Sequence, residues 1–170
     1  MNQYEPHHWR NICGLVTEKA TLIFPHIKSN GLKSSIISNL FETQSAYYFN
    51  SIGLPTVDSK NDKDPDLIFD GVTPCEIKVT NAKKLISKSI VWMGGEYSKR
   101  SSDFILAAWH IENNDFHFLV VKTVIHMDEW ERADNGRNTF YGTKFHCNKL
   151  YDKEHEVLIG SRSEKKFLLE

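Results

Sequence analysis

Apolar residues recur at spacings of three and four near the amino terminus. Trp9, Ile12, Cys13, Val16, Ala20 and Ile23 fall on one face of a helix that stops before Pro25. Asn30-Gly31 reads as a turn, and a second helix is expected from about Ser34 to Ile52, with Ile37, Leu40, Phe41, Tyr48 and Ile52 on or near its buried stripe. Gly53, followed by Leu54-Pro55, closes that helix: glycine accepts the left-handed cap and proline cannot continue the spiral. The polar run from Asp58 to Asp64 reads as an exposed loop.

Beyond it the period changes. Leu67-Ile68-Phe69, Asp70-Gly71 and Val72 to Val79 predict strand, tight turn and strand, Asp-Gly being a favoured pair for hairpin turns. Thr80 to Ile90 is lysine-rich with a helical start, and Trp92 to Ser102 reads as a loop. Phe104–Ile111 and Phe116–Ile125 are apolar, aromatic and β-branched runs joined by Glu112-Asn113-Asn114-Asp115, the pattern of a second hairpin. Met127–Ala133 has the character of a helix start, closed by Asn135-Gly136, and residues 134–170 mix short strand-like pieces with charged turns. Helices, a sheet core and a short helix in that order predict an α/β domain, a mixed β-sheet flanked by helices.

Length and composition narrow the class. At 170 residues and 19.7 kDa, one domain over 1–170 is expected. Hydrophobic residues at 40% and charged residues at 25% fit a globular chain with a real core. Lys and Arg number 21 against 22 Asp and Glu, so a globally basic coat for nucleic acid is excluded while a local basic cleft is not. Cys13, Cys75 and Cys147 are widely spaced with no C-x-x-C pair, which predicts reduced thiols and a cytoplasmic protein. No charged-then-apolar leader opens the chain, and no apolar run approaches the ~20 residues of a membrane helix. Serine-hydrolase, P-loop and dinucleotide motifs do not occur. His7-His8 with Cys13, and His146-Cys147 with His155, match no standard zinc spacing, and His110, His117 and His126 read as packed or surface residues.

The informative stretch is Pro65-Asp66 followed by Glu76-Ile77-Lys78. On a strand, Glu76 and Lys78 point to one face, and a fold about Asp70-Gly71 returns Asp66 opposite Cys75 or Glu76 according to register. Two carboxylates and an ammonium then meet at one sheet edge. Hard divalent ions such as Mg²⁺ take oxygen ligands, often one or two carboxylates with water and phosphate beside them. An ion so held polarises a scissile phosphate and acidifies a bound water, and Lys78 would orient that water and offset the charge that builds on phosphorus. On spacing alone, an exposed Glu–Lys pair on a surface hairpin accounts for the pattern about equally well.

Pro65-Asp66, nine residues, then Glu76-Ile77-Lys78 resembles the PD-(D/E)XK nuclease superfamily, and more particularly its small type II restriction endonucleases. Phe41-Glu42-Thr43-Gln44-Ser45-Ala46, ending at Ile52-Gly53, looks like that family's first core helix, and Asp103 to Trp109 with the strand ending near Ile125 fall where its next core strands would. The resemblance covers about 34–133. It implies a restriction-endonuclease-like fold and Mg²⁺-dependent cleavage of double-stranded DNA at a short sequence, leaving 5′-phosphate ends, with Mn²⁺ as a substitute ion. By the same resemblance Asp66, Glu76 and the Ile77 carbonyl are metal ligands, Lys78 is the catalytic lysine, and Glu42 is a more distal, water-mediated acid.

DNA phosphates would be met by clustered cations: Lys83, Lys84 and Lys88 after the catalytic strand, and Tyr97, Lys99 and Arg100 in the glycine-bearing loop. Each also reads as an ordinary solvated side chain. A chain this small seldom spans a palindromic site alone, so a two-fold homodimer is expected. Two alternatives stay open: a structure-selective nuclease of the Holliday-junction, repair or phage type, and a non-catalytic DNA-binding or protein-interaction module.

Overall fold

A computed structural model describes residues 1–59, 64–94, 102–133 and 142–160. Helix α1 runs Pro6–Ile23 and opens with proline in its first turn, where a missing N–H costs nothing. Its stripe is as expected through Trp9, Ile12, Cys13, Val16 and Ala20, all buried, whereas Ile23 at the last position is 38% exposed. Helix α2 runs Asn30–Ser51 and begins earlier than the periodicity implies. Asn30-Gly31 is its first turn, because the Ser29 hydroxyl accepts the Leu32 N–H and caps the helix there. Ile37, Phe41, Ser45, Ala46 and Phe49 face inward, with Leu40, Tyr48 and Ile52 packed at the margin. Gly53 takes φ 90° and ends the helix as expected.

The strands are β1 (Thr56–Asp58), β2 (Leu67–Phe69), β3 (Thr73–Asn81), β4 (Val91–Gly94), β5 (Ser102–Glu112), β6 (Asp115–Ile125), β7 (Glu131–Ala133), β8 (Gly142–His146) and β9 (His155–Ile159). Six make a sheet in the order β1-β2-β3-β5-β6-β9, and three make a smaller one, β4-β8-β7. Among the described residues only β3 and β5 run parallel, from Cys75 beside Asp103 to Asn81 beside Trp109. Both expected hairpins form. Asp70 and Gly71 take φ 50° and 72°, and Asn113 and Asn114 take 51° and 66°, the left-handed conformations that primed turns need.

The large sheet is buried on both sides, which explains the near-continuous apolar runs of β5 and β6. Ile105, Ala107 and Trp109 join α1 and α2 in one core, while Phe104, Leu106 and Ala108 join Trp92, Trp130, Phe145 and Leu150 in a second. The architecture is therefore α/β with a mixed sheet, its helices on one face and the small sheet over the other. The free, buried Cys13, Cys75 and Cys147 belong to these cores, and burial pushes each thiol's pKa up.

Three expectations give way to tertiary pairing. Thr80 to Ile90 is not helical: β3 stays paired with β5 to Asn81, and Ala82, Leu85 and Ile90 then turn into the second core. Trp92 lies in β4 rather than a loop, its indole donating to the Ala107 carbonyl. Met127–Ala133 is a single 3₁₀ turn over Met127–Glu129 followed by β7, which pairs with β8. Asn135-Gly136 lies outside the described residues.

Candidate active site

The register of the first hairpin decides where Asp66 falls. Leu67 pairs with Cys75, so one step further Asp66 is opposite Glu76. Asp66 Oδ2 accepts the Ile77 N–H at 2.7 Å, which pins the carboxylate across the strand pair. Glu76 and Lys78 share a face of β3, the face that Phe104 and Leu106 extend on β5. Lys78 Nζ is 3.6 Å from Glu76 Oε2 and 3.9 Å from Asp66 Oδ2. The three side chains are only 17–21% exposed, so this is a half-buried cluster rather than a solvated ion pair, and with β3 paired to β2 and β5 it lies within the sheet rather than at the edge the sequence implied.

Two acids there resist ionisation. Burial pushes Glu76 up, and the Asp66 carboxylate adds to the push through its charge and a side-chain hydrogen bond, against the pull of Lys78. Glu42, on α2, is raised to about 7, first by burial and then by Asp66 and Asp58, again opposed by Lys78. Helix α2 thus brings Glu42 into the field of Asp66 and Asp58. Like charges this close disfavour ionisation of Glu76 and Glu42, and Lys78 offsets only part of that.

Asp58 was expected in an exposed loop. It is the last residue of β1, paired with Leu67 and only partly exposed, close enough to the site to raise Glu42. Thr56-Val57-Asp58 is a three-residue strand, too short for alternation to reveal. The only local signal is Pro55, which ends the preceding segment and frees an extended run.

The donor set suits a hard, oxygen-ligated divalent ion: the carboxylates of Asp66 and Glu76, and Glu42 further out. Ile77 offers backbone alone, since its side chain is buried in the helix-side core. Among the expected DNA contacts, Lys83, Lys84 and Lys88 are exposed on the segment after β3. Tyr97, Lys99 and Arg100 lie outside the described residues. His110 and His117 stack across β5 and β6 with centroids 5.1 Å apart, the first half-buried and the second exposed.

No helix among the described residues is long and apolar enough to cross a membrane. Compared with known proteins, the chain matches no protein family, no curated protein and no solved structure.

Proposed function

We propose that this chain is a Mg²⁺-dependent endonuclease of the PD-(D/E)XK kind that cuts double-stranded DNA at a short specific sequence, working as a homodimer in the cytoplasm. The observation that carries the reading is the convergence of Asp66, Glu76 and Lys78 within 4 Å of the lysine nitrogen on paired strands. Asp66, Glu76 and the Ile77 carbonyl would hold the ion. When bound, that ion (Mg²⁺, or Mn²⁺ in its place) supplies a Lewis acid for the phosphate and an acidified water.

The chain's own groups do the rest. Lys78 orients the water and stabilises charge growing on the non-bridging oxygens. Glu42, raised to about 7, is suited to accept the proton that the water gives up. The oxygen–phosphorus bond forms as the bond to the 3′ oxygen breaks, and that oxygen leaves with the electron pair and takes a proton from solvent water to become a 3′ hydroxyl opposite a 5′ phosphate, the hydroxide so formed being neutralised by the proton that Glu42 releases. Lys83, Lys84 and Lys88 would meet backbone phosphates, so affinity should fall steeply with salt.

The test is incubation of the protein with mixed unmethylated duplex DNA and Mg²⁺, followed by sequencing of the ends. A recurrent short sequence at the cut supports this reading. Cuts clustered at branches favour a structure-selective nuclease, and binding without cuts favours a non-catalytic module.

A further inference from the structure

Away from the carboxylate cluster, on the opening turn of α1, Glu5, His7 and His8 each bring one ligand atom into a group whose members all lie within 4.8 Å of one another. His7 Nδ1 is 3.3 Å from Glu5 Oε2, and the two imidazoles have centroids 3.9 Å apart with their planes tilted by 45°. A tetrahedral zinc ion with bonds near 2.0–2.1 Å needs ligand atoms roughly 3.4 Å apart, so small side-chain rotations close the group round an ion.

His8 is the preorganised member. It is 5% exposed, its Nδ1 is hydrogen-bonded with the Tyr48 hydroxyl at 3.0 Å, and Phe49 packs edge-on against its ring. The Asn11 amide donates to the same hydroxyl at 3.2 Å, so Tyr48 is itself held. With Nδ1 engaged, Nε2 is the nitrogen left for an ion, and a hydrogen bond on the opposite ring nitrogen is how metal-bound histidines are oriented. Cys13, whose spacing from this pair matches no standard zinc site, is in the core.

We propose that Glu5, His7 and His8 bind one late-transition-metal ion of the Zn²⁺ class. Two imidazoles and a carboxylate select such an ion over Mg²⁺, which prefers oxygen ligands alone. Three protein ligands leave a fourth position for water or an external donor. The ion would tie the first turn of α1 to α2 through His8 and Tyr48. This site is separate from the proposed nuclease centre and stands or falls without it.

The experiment is equilibrium dialysis of the full chain against micromolar Zn²⁺ near neutral pH. It uses an Asp66→Asn, Glu76→Gln background so that the carboxylate cluster contributes nothing. One equivalent should be retained, and Glu5→Gln or His7→Asn should weaken it at least about tenfold. Glu5 and His7 side chains are 50% and 55% exposed, so both variants should fold as the parent does. No zinc retained by the background protein, or the same affinity in either added variant, overturns the proposal.

Discussion

Protons and a divalent cation should compete for the acids around Asp66, and that competition can be read as heat stability. Glu42, with a pKa of about 7, is roughly nine-tenths ionised near pH 8 and one-tenth near pH 6, and Glu76 is displaced in the same direction. If one of these acids must ionise before the ion enters, affinity falls about tenfold between those values. Taking a dissociation constant of about 1 mM at the higher pH, about 10 mM Mg²⁺ stabilises the fold by about 1.4 kcal/mol. Near pH 6 the same Mg²⁺ gives only about 0.4 kcal/mol. For a domain of this size that is a rise of about 3–6 °C in Tm against about 1 °C.

The assay is thermal unfolding with and without Mg²⁺ at matched ionic strength. Asp66→Asn and Glu76→Gln should flatten the response. Without metal the sign reverses: the folded protein binds more protons than the unfolded chain between the ordinary carboxyl pKa and about 7, so stability falls as pH rises through that window. Glu76→Gln should then be the more stable protein near pH 8. Equal Mg²⁺ shifts at both pH values, or shifts that survive in the two variants, would refute the reasoning.

Other expectations concern the frame that holds the site. Lys153 Nζ meets Glu129 Oε2 at 2.7 Å, and the Glu129 carboxylate also accepts the His126 N–H. Burial pushes Glu129 up, but these partners outweigh it and hold its pKa below the ordinary value. Glu129→Gln should cost about 1 kcal/mol near neutral pH, a difference that vanishes in denaturant titrations as pH falls through the carboxyl range. Phe41→Ala, at a fully buried position between α2 and the sheet, should cost about 3–5 kcal/mol in the same measurement. At Asp70, φ 50°, Gly should be tolerated while Val costs about 1–2 kcal/mol and, by loosening the register that sets Asp66 opposite Glu76, also weakens Mg²⁺ stabilisation.

Legibility followed how local each determinant is. Helix α1 and the two hairpins are written in short-range periodicity and turn residues, so Trp9 to Ala20, Asp70-Gly71 and Asn113-Asn114 could be placed from sequence. The start of α2 was misplaced because Asn30-Gly31 resembles a turn unless the Ser29 cap is weighed against it. The small sheet was missed because β4 and β7 gain their strand character only from β8, about 50 residues after β4 and far from the hairpins. In the site, Asp66, Glu76 and Lys78 follow from one turn and one strand, while the approach of Glu42 depends on how α2 packs. Asp58 sits on an edge strand whose partner, β2, is three residues long, and nothing in its neighbours announces it.

The proposed activity rests on one convergence, so the most direct measurement compares the intact protein with Lys78→Met and Asp66→Asn on supercoiled plasmid. Cleavage would be followed with Mg²⁺ and with chelator. The account predicts Mg²⁺-dependent cuts bearing 5′ phosphates for the intact protein, and losses of at least about a hundredfold in both variants. Undiminished cutting by either variant, or an intact protein that binds DNA and never cuts it, would contradict the account.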